Sequence, residues 1–424
     1  MNMASILLNT LSFLSVSSVV EALWHTVRTP RVPISQNTKA FLGYPEDSLL
    51  NFTELTTKYG YPSDEHTVVT EDGYILTLFR ITKARNCFNS KRYPPVLLMH
   101  GLQLNSHAWI DSGPSSGLAY LLSDACYDVW AGNVRGNDYG RRHVSLNPNK
   151  DPKFWDFYIE EMGKYDLPAI IDYILDYTKS MKINYIGYSQ GGGTFFVMCS
   201  ERPGYCDKVQ LMTALAPATR HYSTRSLAFR SATQLFEKLE KPLSVYGYYE
   251  VFANGAVTQE FLALFCQLSF LTTKLCGGFL NLIELLYSLH PGSITKYTIE
   301  VLFGHFPAGT SLRNMARYGQ SMRSKRFQKF DYGREQNLVV YGREEPPEYN
   351  LSAVTVPLVC LYGRNDGIVD TRDIAWLIPQ LPNVLEAKMV DDPLWNHFDM
   401  AYSQYTRNEL FPTINKYLLQ FSAP

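Results

Sequence analysis

Charge of one sign is what this sequence lacks most clearly. It has 39 lysine and arginine residues against 40 aspartate and glutamate residues, so the formal net charge is −1. A nucleic-acid surface needs an excess of basic side chains, and steering of charged substrates needs a strong field of one sign. We therefore expect no nucleic acid among the partners and no electrostatic steering of charged substrates.

Metal-binding motifs are missing as well. No cysteine stands in a CxxC pair or beside histidines at the spacing of a structural zinc site, so we expect no metal and no cofactor. Seven cysteines are too few for a dense disulfide framework in 424 residues, and the odd number leaves at least one unpaired within a monomer. The seven are Cys87, Cys126, Cys199, Cys206, Cys266, Cys276 and Cys360.

Long hydrophobic runs are absent from the body of the sequence. No stretch there approaches the roughly 18 uninterrupted apolar residues of a membrane-spanning helix, so we expect no transmembrane segment in the mature chain. Residues 4–20 are nearly free of charge, and Val20-Glu-Ala22 offers a small-x-small cleavage site. Together they predict a signal peptide over residues 1–22, although it lacks the usual basic start. The expected location is therefore extracellular or lysosomal.

Two short motifs are compatible with a secretory route. Asn51-Phe-Thr and Asn350-Leu-Ser both match the acceptor sequence for N-linked glycosylation. Asn51 and Asn350 are therefore candidate glycosylation sites, and they support the predicted signal peptide.

The order of the apolar segments predicts an α/β fold. Residues 67–81 indicate two strands joined by an Asp72-Gly73 hairpin turn, and residues 95–99 are a continuous apolar run typical of a strand buried on both faces. Strands that then alternate with helices predict a mostly parallel central sheet flanked by helices. These are strands at 127–131, 183–187, 209–215, 357–362 and 385–390, and helices at 154–178, 195–199, 371–378 and 402–421.

The alternation stops between Thr219 and Tyr349. The segment is too long for a loop, and it is apolar and helix-like in places, above all over residues 261–289. We interpret residues 219–350, called the insertion below, as a helical cap or lid over the carboxyl edge of the sheet. Residues 23–218 and 351–424 then form the two parts of the core.

A motif for nucleophilic chemistry stands where a predicted strand meets a predicted helix. Gly187-Tyr-Ser-Gln-Gly191 matches G-x-S-x-G, in which the serine occupies a sharp, strained turn and larger side chains two positions away would collide. The bare motif is weak, but an apolar strand precedes this one and a helical segment follows it. We therefore predict that Ser189 is the nucleophile of an α/β-hydrolase fold.

A serine nucleophile needs a base, and in this fold the chain order is serine, acid, histidine. The histidines that follow the nucleophile are His221, His290, His305 and His397. Three of them lie in the insertion, whereas His397 follows the last predicted strand, where the general base and acid belongs. Asp366 is the first carboxylate after the strand at 357–362 and is predicted to orient the base, with Asp370 as the alternative.

Acyl transfer also needs donors for the oxyanion. This fold places one donor in the loop after the strand at 95–99 and another in the residue after the nucleophile. The predicted donors are therefore the backbone N–H groups of Leu102 and Gln190. His100 is interpreted as a structural residue of that loop, because the nucleophile has its own histidine.

Together these residues resemble the acid lipase family, which contains the gastric and lysosomal lipases. The similarity extends from about Tyr44 to about Phe421. It lies in the shared order of several blocks, which are His100–Leu102 with Trp109, residues 127–136, Phe154-Trp155 with residues 166–168, Gly187–Gly191, Ala214–Pro217, Pro307–Thr310 and Asn396–Asp399.

The resemblance implies an α/β-hydrolase fold with Ser189, Asp366 and His397 as the triad and with Leu102 and Gln190 at the oxyanion hole. It also implies a mobile lid within residues 219–350, a disulfide between Cys266 and Cys276, and a glycan at Asn350. The gut lumen becomes one of the possible extracellular sites.

This chain departs from the family at the nucleophile turn. The family usually has histidine before the serine, and this chain has Tyr188. Gly192-Gly193, just after the turn, is a milder variation. Neither change removes the nucleophile, but both are expected to alter the packing around it.

The expected activity is hydrolysis of neutral lipid esters, that is triacylglycerols, sterol esters or both, through an acyl-enzyme on Ser189. The lipid substrate would be met at an oil–water or membrane interface. Two alternatives stay open: a carboxylesterase for smaller esters, and a lipid-binding relative without catalysis. The bulky apolar insertion argues against the first, and the complete set of serine, aspartate and histidine argues against the second.

Overall fold

A computed structural model describes residues 33–82, 93–256, 260, 264–265, 274 and 292–422. The predicted signal peptide over residues 1–22, the Cys266–Cys276 pair and nearly all of the apolar stretch 261–289 lie outside the described residues. Among the helices that are described, none is both long and apolar enough to cross a bilayer.

The described strands belong to one large sheet and one small one. In chain order they are β1 (Ser63–Val69), β2 (Tyr74–Ile81), β3 (Val96–Met99), β4 (Val129–Gly132), β5 (Arg142–His143), β6 (Ile183–Tyr188), β7 (Val209–Leu215), β8 (Glu250–Val251), β9 (Thr310–Ser311), β10 (Leu358–Tyr362) and β11 (Val384–Met389).

The described α-helices cover both faces of the large sheet and fill much of the insertion. In chain order they are α1 (Gln36–Phe41), α2 (Phe52–Lys58), α3 (Leu118–Asp124), α4 (Ile159–Glu161), α5 (Leu167–Thr178), α6 (Gln190–Glu201), α7 (Leu227–Val245), α8 (Lys296–His305), α9 (Leu312–Ser321), α10 (Arg334–Tyr341), α11 (Thr371–Leu377), α12 (Asp399–Tyr402), α13 (Thr406–Glu409) and α14 (Phe411–Ser422).

The large sheet has the strand order β1-β2-β4-β3-β6-β7-β10-β11, with β5 paired to β2. The pairs from β4 through β11 are parallel, and β1–β2 and β2–β4 are antiparallel. Every residue of β3 and β6 is buried, and burial on both faces explains the continuous apolar sequence of β3. The predicted hairpin is confirmed, and so is the mostly parallel sheet. Because parallel strands end at one edge, the loops after β3, β6 and β10 lie together.

Two predicted helices are interrupted. The predicted helix at 154–178 begins only at Ile159, since Phe154 and Trp155 end a 3-10 turn and residues 156–158 are not helical. It also contains a π-helical turn (Met162–Asp166) before α5, because Pro168 has no N–H to continue a regular helical ladder. Residues 402–421 do not form one helix but divide into the end of α12, then α13 and α14. Ser403 adopts an extended backbone (φ −67°, ψ 135°) that ends α12.

The insertion leaves the sheet after β7 and returns to it at β10. Within it, β8 and β9 pair antiparallel and α9 packs against α7. The domain boundaries at residues 219 and 350 stay a prediction.

A disulfide joins Cys199 at the end of α6 to Cys206 before β7. This pair was not predicted from the sequence, although the two cysteines are only seven residues apart. Cys360 on β10 is free and buried, and burial raises the pKa of its thiol to about 12.

Candidate active site

Ser189 lies on a sharp turn between β6 and α6. Its backbone has φ 51° and ψ −114°, a strained conformation for a residue with a side chain. Two glycines make the turn possible. A Cβ on Gly191 would overlap the carbonyl oxygen of Met99, and a Cβ on Gly193 would overlap that of Ala218. A Cβ on Gly192 would lie 2.8 Å from Pro217 Cβ, so both glycines after the elbow allow α6 to begin in direct contact with the chain after β7.

Ser189, His397 and Asp366 form one line of hydrogen bonds. Ser189 Oγ lies 2.8 Å from His397 Nε2, and His397 Nδ1 lies 2.7 Å from Asp366 Oδ2. All three side chains are buried. The structure thus brings together, from the ends of different strands, the three residues that the sequence predicts as a triad. An arrangement of this kind can generate a serine nucleophile at neutral pH.

The hydrogen bonds of Asp366 fix the tautomer of the histidine. Asp366 Oδ1 accepts from the backbone N–H groups of Ile368 (2.9 Å) and Val369 (2.7 Å). The ionised carboxylate can only accept hydrogen bonds, so Oδ2 accepts from His397 Nδ1. His397 must then carry its proton on Nδ1 and present an unprotonated Nε2 to Ser189 Oγ. This is the form that can take a proton from the serine.

The alternative acid has a different task. Asp370 caps α11, accepting from the backbone N–H of Arg372 at 2.9 Å, and it pairs with the Arg225 guanidinium at 2.6 Å. The carboxylate that contacts His397 is that of Asp366.

The other histidine candidates do not contact Ser189. His221 Nδ1 is paired with Ser321 Oγ at 3.0 Å, and His305 Nδ1 with Asp111 Oδ1 at 3.0 Å. His290 lies outside the described residues. His100 donates from Nδ1 to the Gly101 carbonyl (2.8 Å), and burial lowers its pKa to about 4, so it is neutral and shapes the loop after β3.

Tyr188 has a clear role in this structure. Its hydroxyl donates to the backbone carbonyl of His397 at 3.0 Å, and the two rings lie 5.1 Å apart. The departure from the family at this position was visible in the sequence, but its contact with a residue 209 positions away was not. The tyrosine therefore holds the loop that carries the predicted base.

Removing the hydroxyl of Tyr188 tests that role. Tyr188→Phe is expected to lower kcat about fivefold with little change in KM, because one buried hydrogen bond of about 1 kcal/mol no longer positions His397. Steady-state kinetics on a soluble short-chain ester measure this. Tyr120→Phe is the matched control, since the Tyr120 hydroxyl is buried and has no partner among the described residues. Equal kinetics for both variants would contradict the role.

The predicted oxyanion donors flank the same space. Gln190 is the first residue of α6, where backbone N–H groups have no partner within the helix. Leu102 lies in the loop after β3, beside Ser189 in the wall of the cavity described next. Gln103 follows with φ 60°, a left-handed turn that bends this loop across the site. Both predicted donors are thus placed near the serine.

A cavity of about 340 Å³ opens beside Ser189 and His397. The described side chains that line it include no lysine, arginine or carboxylate. Its apolar wall is formed by the core and the insertion together, through residues such as Leu102, Leu104, Phe252, Phe306, Met315 and Phe398. A space of this kind binds hydrocarbon more favourably than charged groups.

One cluster of the described residues has ligand types that bind metals. His107, Asp111 and His305 bring three potential ligand atoms within 4.8 Å of one another. Hydrogen bonds already occupy them, however. His305 Nε2 faces the Leu50 carbonyl at 3.2 Å and His305 Nδ1 faces Asp111, so both ring nitrogens must carry protons. His305 therefore has no ring lone pair to offer a metal ion, and its ring is stacked on that of His107 with the ring centres 3.6 Å apart.

The cluster is therefore an ion pair between the core and the insertion. Burial alone would lower the pKa of His305, but the Asp111 carboxylate outweighs it and raises that pKa, with help from Asp138. Burial and the charge on His305 lower the pKa of His107 to about 4. For Asp111, burial is outweighed by the two histidines, and its pKa is lowered.

The sign of the His305 shift predicts how stability depends on pH. The contribution of the pair is complete below the unfolded histidine pKa of about 6.5 and is lost as pH rises through the raised folded value. Asp111→Asn is expected to lower the free energy of unfolding by about 3 kcal/mol near pH 5. The difference in the free energy of unfolding between variant and wild type is expected to narrow as the pH rises through the raised pKa of His305. Urea unfolding over this range measures it, and parallel curves for the two proteins would contradict the assignment.

Sequence comparisons give relatives for this arrangement. The profile described as a partial alpha/beta-hydrolase lipase region matches residues 52–113, and that of the alpha/beta hydrolase fold matches residues 94–253. Lipase 1 of Drosophila melanogaster is 38% identical over 372 residues, which cover 86% of this chain and 79% of that protein. Gastric triacylglycerol lipase of Homo sapiens is 34% identical over 380 residues, covering 88% and 91%. Lipase member K of Homo sapiens is 34% identical over 364 residues, covering 85% and 89%. The predicted α/β-hydrolase fold is confirmed.

Proposed function

Because the chain belongs to the acid lipase family, with gastric triacylglycerol lipase among its relatives, we propose that it hydrolyses carboxylic esters of neutral lipids with Ser189 as nucleophile. The observation that carries the proposal is the hydrogen-bonded line from Ser189 through His397 to Asp366, at the end of an apolar cavity. The alternative of a binding protein without catalysis has no need of this geometry.

The first half of the reaction forms an acyl-enzyme. Ser189 Oγ attacks the ester carbonyl carbon while its proton passes to His397 Nε2, and the carbonyl electron pair moves onto oxygen. The resulting oxyanion accepts from the backbone N–H groups of Leu102 and Gln190, and Asp366 stabilises the imidazolium. When the electron pair returns, the bond to the alcohol oxygen breaks. His397 Nε2 delivers its proton to that oxygen, and the alcohol leaves.

The second half releases the acid. A water molecule gives a proton to His397 Nε2 as its oxygen attacks the acyl carbon, and the same donors bind the new oxyanion. Collapse breaks the bond between the acyl carbon and Ser189 Oγ, which regains the proton from His397. The fatty acid departs and the triad is restored.

Neutral lipid esters suit the wall of the cavity. The described lining residues carry no charge that would pair with a phosphate or carboxylate, and their hydrocarbon surface matches an acyl chain. The human relative is named for triacylglycerol. Triacylglycerols and sterol esters both fit this chemistry, since they combine acyl chains with an uncharged alcohol part.

The insertion, residues 219–350, is proposed to serve as a cap and lid over this cavity. Its residues Phe252, Phe306, Met315 and Tyr318 already line the space above Ser189. A lid of this kind shifts toward an open state only as far as it binds the lipid surface better when open. The substrate would accordingly be met at an oil–water or membrane interface.

Secretion or lysosomal delivery through the signal peptide over residues 1–22 is part of the same proposal. Asn51 and Asn350, the two candidate glycosylation sites, are exposed. Each uses Oδ1 to cap the turn that follows it, Asn51 toward Glu54 and Asn350 toward Ser352. The amide nitrogen that would carry the glycan is not the capping atom. These positions support modification in a secretory compartment.

A substrate panel tests the proposed function. A triacylglycerol emulsion, a cholesteryl ester and a short-chain nitrophenyl ester are assayed from about pH 4 to about pH 8, with Ser189→Ala as the blank. Hydrolysis of either long-chain lipid, absent in the blank, is expected. Activity confined to the short nitrophenyl ester would replace the proposal by a carboxylesterase for small esters. Lipid binding without turnover of any ester would instead support the alternative of a lipid-binding protein without catalysis.

A further inference from the structure

The side chain of Gln190 is held by the insertion. Gln190 Oε1 accepts from Asn314 Nδ2 at 2.8 Å and from the Tyr318 hydroxyl at 3.2 Å. All three side chains are at least 98% buried. Asn314 and Tyr318 are four residues apart on α9 and so lie on one face of that helix. On its other side the amide places Nε2 3.5 Å from Met162 Sδ, a weak acceptor that suits the nitrogen.

The helix that supplies these two donors is itself fixed to the core. Ser311 Oγ caps α9 by accepting from the backbone N–H of Asn314 at 3.0 Å, and it donates to the Phe157 carbonyl at 2.5 Å. Asn314 Nδ2 also reaches Thr310 Oγ1 at 3.0 Å. These hydrogen bonds fix Asn314 relative to the core. The position of its side chain at Gln190 therefore depends on how α9 packs against the core.

The other predicted oxyanion loop is bound by the same stretch of the insertion. The carbonyl of Gln103, next to Leu102, accepts from the backbone N–H of Ala308 at 2.7 Å. Each predicted oxyanion donor therefore lies next to a group that is hydrogen-bonded to residues 308–318. For Gln190 this group is its own side chain, and for Leu102 it is the carbonyl of the next residue, Gln103. Neither contact involves Ser189, His397 or Asp366.

Resting on the proposed function, we propose that Asn314 and Tyr318 are positioning residues for the oxyanion hole. They act through Gln190: by fixing its side chain they fix the first turn of α6 and with it the backbone N–H that receives the oxyanion. An oxyanion donor is effective only when it is aimed before charge develops, and a displacement of about 1 Å can lower a rate about 100-fold. The packing of α9 against the core therefore determines the reactivity of Ser189, and this effect does not depend on which acyl chain is bound.

A double-mutant cycle tests the proposal. Asn314→Ala, Gln190→Ala and the double variant are assayed on a soluble nitrophenyl ester below its solubility limit, so that binding to a lipid surface plays no part. Gln190→Ala keeps the backbone N–H and removes only the side chain. Each single variant is expected to lower kcat about tenfold with KM within about twofold. The double variant is expected to be no slower than either single one, because both remove the same link.

Two further variants separate positioning from general loss of packing. Asn337→Ala is the matched control, since Asn337 is also a buried asparagine of the insertion, bonded to Asp331 at 2.7 Å and to the Glu344 carbonyl at 2.8 Å. It is expected to lower Tm and leave kcat unchanged. Tyr318→Phe keeps the ring and removes one donor, with an expected loss of about threefold. If Asn314→Ala does not fold, the kinetics of Tyr318→Phe test the positioning role in its place.

An inhibitor that mimics the oxyanion gives an independent readout. A trifluoromethyl ketone forms a tetrahedral adduct with an oxyanion on the serine, and its affinity is expected to fall in parallel with kcat/KM across the variants. Losses that multiply in the double variant, or kinetics of Asn314→Ala like those of Asn337→Ala, would overturn the positioning role alone. Activity that persists in Ser189→Ala would instead overturn the proposed function.

Discussion

Replacing Ser189 with alanine is expected to abolish ester hydrolysis while leaving the fold intact. The side chain contributes one hydrogen bond, from Oγ to His397 Nε2, and its turn is held by the glycines around it rather than by the hydroxyl. Removal of the nucleophile from a serine triad lowers kcat by about 10⁶. The measurements are kcat on a soluble nitrophenyl ester and Tm, which is expected to stay within about 3 °C of the wild type.

The control for this variant is another buried serine. Ser116→Ala removes a hydroxyl that donates to the Ser112 carbonyl at 2.7 Å, away from the cavity, and is expected to keep full activity. Labelling with an organophosphonate gives a second check, since only an activated serine reacts. Covalent modification of any serine other than Ser189 in the native protein would contradict the assignment.

Asp366→Asn is expected to lower kcat about 10⁴-fold with little change in KM. The backbone N–H groups of Ile368 and Val369 both point at Oδ1, so an asparagine would keep its oxygen there and turn its NH₂ toward His397. That NH₂ can only donate, and His397 Nδ1 would have to accept. The proton would then sit on Nε2, which could no longer take one from Ser189. The wrong tautomer, rather than loss of substrate binding, is the predicted defect.

Asp370→Asn is the matched control for the acid. This carboxylate is buried like that of Asp366, but its partners are Arg225 at 2.6 Å and Arg372 at 2.7 Å. The variant is expected to lose some stability and to keep kcat. Assays of both variants at the same pH distinguish the two residues. Near wild-type kcat in Asp366→Asn together with a large loss in Asp370→Asn would show that the other carboxylate orients the base.

Local signals were enough to predict the parallel core of the fold. β3 is buried on both faces and has an unbroken apolar sequence, and β7 was predicted with its observed bounds. Where a helix depended on distant packing, the prediction was less accurate. Periodicity alone did not reveal the π-helical turn before α5 or the breaks between α12, α13 and α14, because apolar spacing persists through a short interruption.

The sequence by itself determined which residues carry the chemistry. A serine between glycines, a carboxylate after a strand and a histidine near the C-terminus can be read from local order, since the elbow is a backbone requirement and the strand ends share one edge. Only the tertiary structure decided what surrounds them. Tyr188 was flagged by its type alone, and its partner, the carbonyl of His397, lies far away in the chain. The link from Gln190 to Asn314 spans 124 positions. No local pattern encodes such contacts, because they exist only once the insertion has packed on the core.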